Sequence, residues 1–316
     1  MLCGLSAYCG SKFSNWGTTR SLNRITPSGK LCTFASSHQL IRMGKKALKQ
    51  FEETVKFLKK QYKQKPQVGI VLGSGLGSFV NEIAIEKEVA YEDIPNFPVS
   101  TVEGHKGKLI FGKLSGKTVV AMAGRFHFYE GYAQQDVVFP IRVMKLLGIE
   151  TLLLSNAAGG VNPSYKVGDL MIIKDHVSFF TPNPLIGKNI AELGPRFPDM
   201  SEPYKKHLIQ KAKAIAAKNN FDIKEGVYVA VTGPTFETRA EYKLINILGG
   251  DVVGMSTVQE SIVANHMGLQ VFAVSVVTDV GIREDENIIT HEEVLQAAKE
   301  AEPKLATLFK ELVKTI

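Results

Sequence analysis

From residue 43 onward, the chain alternates between short apolar runs and longer segments in which apolar residues recur every three or four positions. The apolar runs are five to eight residues long and are bounded by small or charged residues, which is typical of buried strands. They predict strands at 68–72, 108–112, 118–123, 151–155, 169–173, 227–231 and 270–277. The amphipathic segments predict helices at 43–62, 134–147, 202–218, 239–248, 258–267 and 291–314.

Strands that alternate with helices indicate one α/β domain, with a mixed, mostly parallel twisted sheet flanked by helices. The strands at 108–112 and 118–123 are joined around Ser115 and Gly116, so we expect this pair to form an antiparallel hairpin. The segment 84–93 (AIEKEVAYED) carries too many charges for a buried strand.

Two helices are expected to begin with a capping box, in which a Thr side chain and a Glu three residues later bind free backbone N–H groups. These pairs are Thr257 with Glu260 and Thr290 with Glu293.

The net charge of +7 comes from the first 51 residues, which hold eight Lys or Arg and no acid. Subtracting these eight from the 38 basic residues leaves 30, against 31 acidic residues, for a net charge of −1. A nucleic-acid-binding domain usually carries a basic stripe on its folded surface, so we expect no nucleic-acid partner. No apolar run reaches the roughly 18 residues of a membrane helix, so no membrane partner is expected either.

Residues 1–42 form a basic, acid-free leader rich in Ser and Thr, and residues 43–316 form the folded domain. The leader has the composition of an organellar transit peptide, although translation could instead begin at Met43. All three cysteines lie in the leader, so the domain has no disulfide and no cysteine nucleophile. We expect a cytoplasmic protein, or an organellar one if the leader is a transit peptide.

The stretch QVGIVLGSGLGSFV (67–80) runs from an apolar strand into alternating glycines. The spacing does not match the dinucleotide-binding fingerprint, and no lysine follows as an ATP-binding loop requires. The remaining ligand is a small anion, held by backbone N–H groups and the Ser74 hydroxyl. A glycine turn that only packs a strand against a helix is the alternative.

The stretch AGRFHFYEGY (123–132) follows another strand and, if extended, places Arg125 and His127 on one side of the chain. Arginine offers a fork of donors suited to phosphate, and histidine can donate a further bond. The alternative is a surface arginine beside packed aromatics. In LLLSNAAGGVNP (152–163), small residues around Asn156 and Ala157 would let a ligand reach the backbone, unless they form a tight turn.

Three further stretches place polar residues after predicted strands, where α/β sheets bind ligands. In TGPTFET (232–238), Glu237 could hold two N–H donors of a heterocycle and Phe236 could cover a ring, or Glu237 could be a first-turn acid favoured by the helix dipole. In GMSTV (254–258), Ser256 could bind an anion or belong to the helix cap.

The strand at 270–277 leads to Thr278 and Asp279, which face a ligand unless Asp279 belongs to a turn. His291 opens the last helix and could bind a sugar hydroxyl or be exposed. The histidines show no metal-binding spacing and no G-x-S-x-G nucleophile motif is present, so we expect neither a metal site nor a covalent nucleophile.

In their order along residues 45–316, GIVLGSGLG, VEGHKGKLIFG, GRFHFYEGY, SNAAGG, TGPTFET, VGMSTV and HEEVL resemble the trimeric class of purine nucleoside phosphorylases. That resemblance implies a homotrimer that uses inorganic phosphate as co-substrate and needs no cofactor. The implied reaction splits purine nucleosides into free base and ribose 1-phosphate, in purine salvage.

The resemblance also implies roles for individual residues. Phosphate is expected at Ser74, His105, Arg125, His127, the Ala157 backbone and Ser256. The sugar is expected at Tyr129, Met255 and His291, and the base at Phe236, Glu237, Thr278 and Asp279. Glu237, Asp279 and His127 are the expected catalytic residues, and Phe179 or Phe180 is expected to close a neighbouring subunit's site.

Asp279 departs from the family pattern, because members restricted to 6-oxopurines usually carry Asn at this position. Methylthioadenosine phosphorylases have Asp there but lack the Glu that this chain keeps at 237. We favour 6-oxopurine nucleosides, with adenine nucleosides as an open possibility. A methylthioadenosine phosphorylase and a non-catalytic nucleoside-binding module are the alternatives.

Overall fold

Nine strands form one mixed sheet in the computed structural model, which describes residues 37–99, 101, 106–281 and 289–316. The strands are β1 (Val68–Leu72), β2 (Ala84–Ala90), β3 (Lys108–Leu114), β4 (Lys117–Ala123), β5 (Thr151–Gly160), β6 (Leu170–Val177), β7 (Lys224–Ala230), β8 (Val252–Gly254) and β9 (Gln270–Val280). The helices are α1 (Ser37–Gln61), α2 (Gln134–Val137), α3 (Phe139–Leu147), α4 (Lys206–Lys218), α5 (Arg239–Ile247), α6 (Val258–His266) and α7 (His291–Thr315). The predicted fold class, a mixed sheet flanked by helices, is confirmed.

The strand order is β2-β3-β4-β1-β5-β8-β7-β6-β9, and β9 returns to pair with β5. The strands β5, β8, β7, β6 and β9 therefore pair in a closed ring, which the sequence did not predict. The predicted hairpin is confirmed, because β3 and β4 pair antiparallel along their whole length. β2 was not predicted as a strand. Most of its residues are exposed, because it lies at the edge of the sheet, where charged side chains stay in water.

Several predicted boundaries were wrong for physical reasons. The helix expected at 134–147 is divided at Val138, because Pro140 lies in the first turn of α3, where the missing N–H is tolerated. The strand expected to end at residue 155 continues to Gly160, and the strand expected to end at 277 continues to Val280. These two extensions pair with each other, so the small residues 156–160 lie in a strand and form no tight turn.

The core lies between the sheet and the helices and includes buried residues from every strand of the ring, from β1, β3 and β4, and from the helices α1, α3, α4, α6 and α7. A second, smaller cluster packs around Tyr242 of α5, with Val161, Val229, Ile245 and Val253. Within the described part of the chain, no helix is long and apolar enough to cross a membrane.

The parallel strands β1, β4, β5 and β9 direct their carboxyl ends to one edge of the sheet. The pairing of β1 with β5 ends at Val71 and Leu154, whereas β5 continues to Gly160 alongside β9. β8 approaches this extension from the opposite direction and pairs with Gly159 and Gly160. A recess therefore opens where β1 and β4 end and β5, β8 and β9 continue.

Candidate active site

One cavity at this recess brings together all the predicted site residues that the structure describes. It is lined by Ser74, Arg125, His127, Tyr129, Ala157, Phe236, Glu237, Met255, Ser256, Thr278, Asp279 and His291, among others. His105 lies outside the described residues. The structure thus assembles residues separated by more than 200 positions, and their individual binding roles stay predictions.

The glycines of the loop after β1 allow close approaches. A Cβ on Gly73 would lie 2.7 Å from the Asn156 Cα and 3.3 Å from Arg125 Nη1, so a larger residue would displace both. Gly75 has φ +74°, a region that favours glycine, and a Cβ there would meet Ala298 of α7 at 2.5 Å. These glycines therefore let the loop pack closely against β5 and α7, as the alternative interpretation of the sequence expected. Ser74, which lies between them, lines the cavity.

Arg125 is buried and forms a bidentate ion pair with Glu260 of α6. Its Nε donates to Glu260 Oε1 at 3.1 Å and its Nη2 donates to Glu260 Oε2 at 2.9 Å. Nη1 donates to the Ser155 carbonyl at 2.6 Å. Because Glu260 binds Arg125, the capping box predicted for Thr257 and Glu260 was wrong, and the Thr257 side chain makes no cap bond.

His127 is buried beside Glu130, with 3.2 Å between His127 Nδ1 and Glu130 Oε1. Burial opposes ionisation of Glu130, but hydrogen bonds from His127 and Thr101 outweigh it and lower the pKa of this carboxyl to about 2. Burial also lowers the pKa of His127, which favours the neutral ring at neutral pH. The ionised Glu130 therefore fixes the proton on Nδ1, and the ring stacks on Tyr129 at 4.7 Å.

The residue after Ser256 has a strained backbone. Thr257 has φ +69° and ψ −47°, and the Val258 N–H donates to the Ser256 carbonyl at 2.7 Å. This is a classic γ-turn, which is rare and costs of order 1–3 kcal/mol for a β-branched residue. Asn156 Nδ2 donates to Thr257 Oγ1 at 2.9 Å, so β5 holds the turn that presents Ser256 to the cavity.

Two carboxyl groups mark another part of the cavity. Asp279 Oδ1 lies 3.1 Å from the Thr278 hydroxyl, and Asp279 Oδ2 accepts a hydrogen bond from the Tyr242 hydroxyl at 3.3 Å. Burial raises the pKa of Glu237, and the nearby charge of Asp279 adds to the rise. A Cβ on Gly159 would lie 2.9 Å from Asp279 Oδ2, so a glycine at this point of β5 leaves room for the carboxylate.

The rim of the cavity is formed by more exposed side chains. Phe236 is 40% exposed and, with Glu237, also lines a second cavity that includes Phe180. Met255 packs against Gly233, where a Cβ would lie 2.2 Å from the Met255 sulfur. The capping box predicted for Thr290 and Glu293 is confirmed. His291 is the first residue of α7, directly after this cap, and is held at the rim of the cavity rather than being free in solvent.

Sequence reasoning missed Glu260, Tyr242 and Thr257. Glu260 lies on α6, and its spacing from Thr257 predicted a helix cap, so nothing in the sequence signalled that the carboxylate is buried and needs a cationic partner. Tyr242 lies on the apolar face of α5, where it was not distinguishable from a core residue. The positive φ of Thr257 left no signal, because β-branched residues are disfavoured there.

The polar residues fall into two clusters along β5. The cationic cluster of Arg125, Ser74 and Ser256 lies near Asn156, whose side chain binds Thr257 next to Ser256. The acidic cluster consists of Glu237 and Asp279, and the Asp279 carboxylate lies beside Gly159. Asn156 and Gly159 are three residue steps apart along β5, which is a distance of about 10 Å. The cavity is thus suited to a ligand with an anion at one end and N–H donors at the other, and no cluster able to hold a metal ion occurs in the described ranges.

A sheet with parallel strand ends, and a cavity with these two clusters, define an α/β protein with a ligand-binding cavity at the carboxyl ends of its strands. The model of the phosphorylase superfamily matches residues 67–314. A purine nucleoside phosphorylase 1 of Geobacillus stearothermophilus is 50% identical over 265 residues, which cover 84% of this chain and 97% of that protein. A purine nucleoside phosphorylase of Bos taurus is 47% identical over 273 residues, which cover 84% of this chain and 94% of that protein.

Among solved structures, isoform 2 of purine nucleoside phosphorylase from Schistosoma mansoni, in complex with cytosine and ribose-1-phosphate, superposes with a TM-score of 0.81. It is 44% identical, and the match covers 85% of this chain and 96% of that one. The chain therefore belongs to the phosphorylase superfamily, and within it to the purine nucleoside phosphorylases.

Replacing Glu260 tests whether the Arg125 ion pair stabilises the fold. We expect Glu260→Gln to lower the free energy of unfolding by about 3 kcal/mol, because it leaves a buried guanidinium without its counter-charge. Urea unfolding followed by circular dichroism measures this. The same change at Glu150, whose ion pair with Lys65 is exposed, should cost less than about 1 kcal/mol, and equal losses in the two variants would contradict the assignment.

The low pKa of Glu130 predicts a pH-dependent contribution to stability. The pKa of this carboxyl in the folded chain, about 2, lies below its ordinary value of 4.5. Its contribution is therefore complete above about pH 4.5 and is lost as the pH falls towards 2. We expect the difference in unfolding free energy between the unmodified protein and Glu130→Gln to shrink over this interval. If urea titrations from neutral to acidic pH give a constant difference in unfolding free energy between the two proteins, the lowered pKa of Glu130 is refuted.

Proposed function

We propose that the protein catalyses phosphate-dependent cleavage of the N-glycosidic bond in purine ribonucleosides and deoxyribonucleosides. The products are the free purine base and ribose 1-phosphate or its deoxy form, and the biological setting is purine salvage. The single observation that carries the proposal is the pair of opposed clusters, about 10 Å apart along β5, in one cavity. The family to which the chain belongs supports it.

We assign phosphate to the cationic cluster. Three N–H groups of Arg125 bind Glu260 and the Ser155 carbonyl, which fixes the plane of the guanidinium before a ligand arrives. The hydroxyls of Ser74 and Ser256 and the ring of His127 line the same wall. Preorganised donors of this kind hold a phosphate without reorganising during the reaction.

The carboxyls serve the base, and the aromatic and polar rim serves the sugar. Breaking the N-glycosidic bond builds positive charge on the sugar, which the phosphate dianion beneath it stabilises before it attacks. The leaving purine gains negative charge and is stabilised by hydrogen bonds at its ring edge, which we assign to Glu237 and Asp279. Tyr129, Met255 and His291 position the sugar between these ends. The reaction needs no covalent enzyme intermediate and no cofactor.

We propose that the working enzyme is a homotrimer in which an aromatic residue from a neighbouring subunit closes each cavity. Phe179 is 88% exposed in the single chain and Phe180 is 42% exposed, so both are available to a partner. Phe180 lines the second cavity beside Phe236 and Glu237, whereas Phe179 lines a separate groove with Phe197 and Ile186. Large exposed apolar side chains of this kind mark interaction surfaces.

The decisive assay follows the release of free base from inosine, guanosine, adenosine and methylthioadenosine, with and without inorganic phosphate. Turnover of inosine only in the presence of phosphate is the expected result. Preference for methylthioadenosine would favour the related phosphorylase, which Asp279 permits but Glu237 disfavours. Ligand binding without turnover would identify a nucleoside-binding module.

Removing the Glu237 carboxylate should reduce kcat/KM for inosine at least about 100-fold, because two hydrogen bonds to the base are lost in the transition state. Steady-state kinetics of Glu237→Ala measures this effect. Glu150→Ala, a change to an exposed glutamate that does not line the cavity, is the matched control and should keep full activity. Loss of less than tenfold would show that Glu237 does not hold the base.

The oligomer makes a separate prediction. Sedimentation velocity should give a mass of three chains, and the Phe residue that closes a neighbouring site should raise the nucleoside KM when replaced by Ala. We expect this effect in one of Phe179→Ala and Phe180→Ala and not in both. A fully active monomer would exclude the shared cavity.

A further inference from the structure

The last helix, α7, contacts the loop that carries Ser74 at successive points. At Gly75, a Cβ would lie 2.5 Å from the Ala298 Cβ, so the loop backbone lies directly on α7. Four residues further along both segments, the Phe79 N–H donates to Glu302 Oε1 at 2.7 Å. The loop and the helix therefore run side by side in the same direction.

Glu302 is a buried acid whose carboxylate is directed at the loop. It is 7% exposed, and an acidic side chain is rarely buried unless it has a partner. Within the described part of the chain, its hydrogen-bond partner is the Phe79 N–H. The Phe79 ring is also buried and packs edge-on against Phe309 of α7, with 5.7 Å between the ring centroids. The hydrogen bond is therefore shielded from water, which strengthens it.

This bond caps a short helix that follows the loop. Phe79 is the third residue of a 3₁₀-helix, Gly77–Glu82, and Leu76 before it provides no side-chain cap. A capping side chain ordinarily accepts a hydrogen bond from the second or third N–H of a helix. Glu302 accepts from the third, so a residue more than 200 positions away takes the place of the local cap.

Ser74 lies in the turn directly before this 3₁₀-helix. The Leu76 N–H donates to the Gly73 carbonyl at 3.2 Å, which closes the turn around Ser74. At one end of the turn, Gly73 lies against the Asn156 backbone of β5. At the other end, Leu76 leads into the 3₁₀-helix that Glu302 caps. The turn is thus held at both ends, which fixes the backbone of Ser74 relative to the cavity.

The same helix also forms part of the cavity rim. His291 is the first residue of α7, and both His291 and Val294 line the cavity. The bond between Glu302 and Phe79 therefore ties the loop at the anion end of the cavity to the element that forms its rim.

Resting on the proposed function, we propose that Glu302 is a positioning residue for phosphate. By binding the Phe79 N–H, it fixes the turn that presents Ser74 before phosphate arrives. A loop that is ordered in advance loses little conformational freedom when the ligand binds, and the affinity is higher for that reason. Glu302 does not line the cavity, so we expect its effect to fall on phosphate and not on the nucleoside.

The first test measures the binding of inorganic phosphate to Glu302→Ala by isothermal titration calorimetry. Alanine leaves the Phe79 N–H without its partner, so the loop must be ordered when phosphate binds, and we expect the Kd to rise about tenfold. In steady-state assays the KM for phosphate should rise by the same factor, whereas the KM for inosine should change less than about twofold. Equal changes for the two substrates would indicate a general loss of structure and would overturn the proposal.

Two further variants separate this hydrogen bond from other contacts of the same segments. Glu302→Gln keeps an oxygen acceptor at the same position and should bind phosphate as the unmodified protein does. Glu82→Ala removes a partly exposed ion pair, 2.6 Å long, between the 3₁₀-helix and Lys310 of α7, and it should also leave the Kd unchanged. If either variant binds phosphate as weakly as Glu302→Ala, the hydrogen bond to Phe79 is not the cause and the proposal is overturned.

Hydrogen exchange of the unmodified protein tests the same point and does not depend on the folding of any variant. If Glu302 holds the loop before the ligand binds, the Phe79 amide exchanges slowly without phosphate, and saturating inorganic phosphate adds little protection. Mass spectrometry of overlapping peptides that resolve Phe79 measures this exchange. Fast exchange that becomes slow only when phosphate is added would show that the ligand orders the loop, and would overturn the proposal.

Failure of this inference is distinguishable from failure of the proposed function. If the unmodified protein binds no phosphate and cleaves no nucleoside, the proposed function and the inference fail together. If it cleaves inosine with phosphate and Glu302→Ala keeps the original Kd and KM for phosphate, the inference alone fails.

Discussion

The site depends on the neutralisation of one buried positive charge. Arg125 is almost fully buried, and a guanidinium removed from water is strongly destabilising unless an anion and carbonyl groups replace the lost solvent. Glu260 and the Ser155 carbonyl supply that replacement. Since Glu260 lies four residues after Ser256, the ion pair also fixes where α6 begins and how the segment before it approaches the cavity. The chain must place Ser256 at the cavity and Glu260 beside Arg125 within a few residues, and the strained turn at Thr257 is consistent with that constraint.

Much of the candidate site could be predicted from the sequence, because the residues that face a ligand follow strand patterns directly. Arg125, Glu237 and Asp279 come just after or within apolar runs, and their chemical types indicate an anion and a hydrogen-bonding heterocycle. Residues that support them could not be predicted in the same way. Glu260 matched the spacing of a capping box, and a local pattern cannot show that a partner more than 130 residues away takes the carboxylate instead.

The fold class was predicted from the sequence, but the closed ring of five strands was not. Apolar periodicity identified most strands, whereas the ends of β5 and β9 were placed too early. Small and polar residues at 156–160 and 278–280 resemble a loop in sequence, yet they lie in strands because each satisfies its backbone by pairing with the other. Their composition is set by the cavity and not by strand propensity, which is why Gly159 stands beside the Asp279 carboxylate.

The closed ring of five strands determines how the acidic cluster can vary. Side chains alternate between the two faces of a strand, so inserting or deleting one residue in β9 would exchange the faces of Thr278 and Asp279. In an open sheet the end of such a strand could slide to a new register, but β9 is bound by β5 on one side and β6 on the other. The ligand preference of this enzyme can therefore change by substitution at fixed positions, but not by a change in the length of β9.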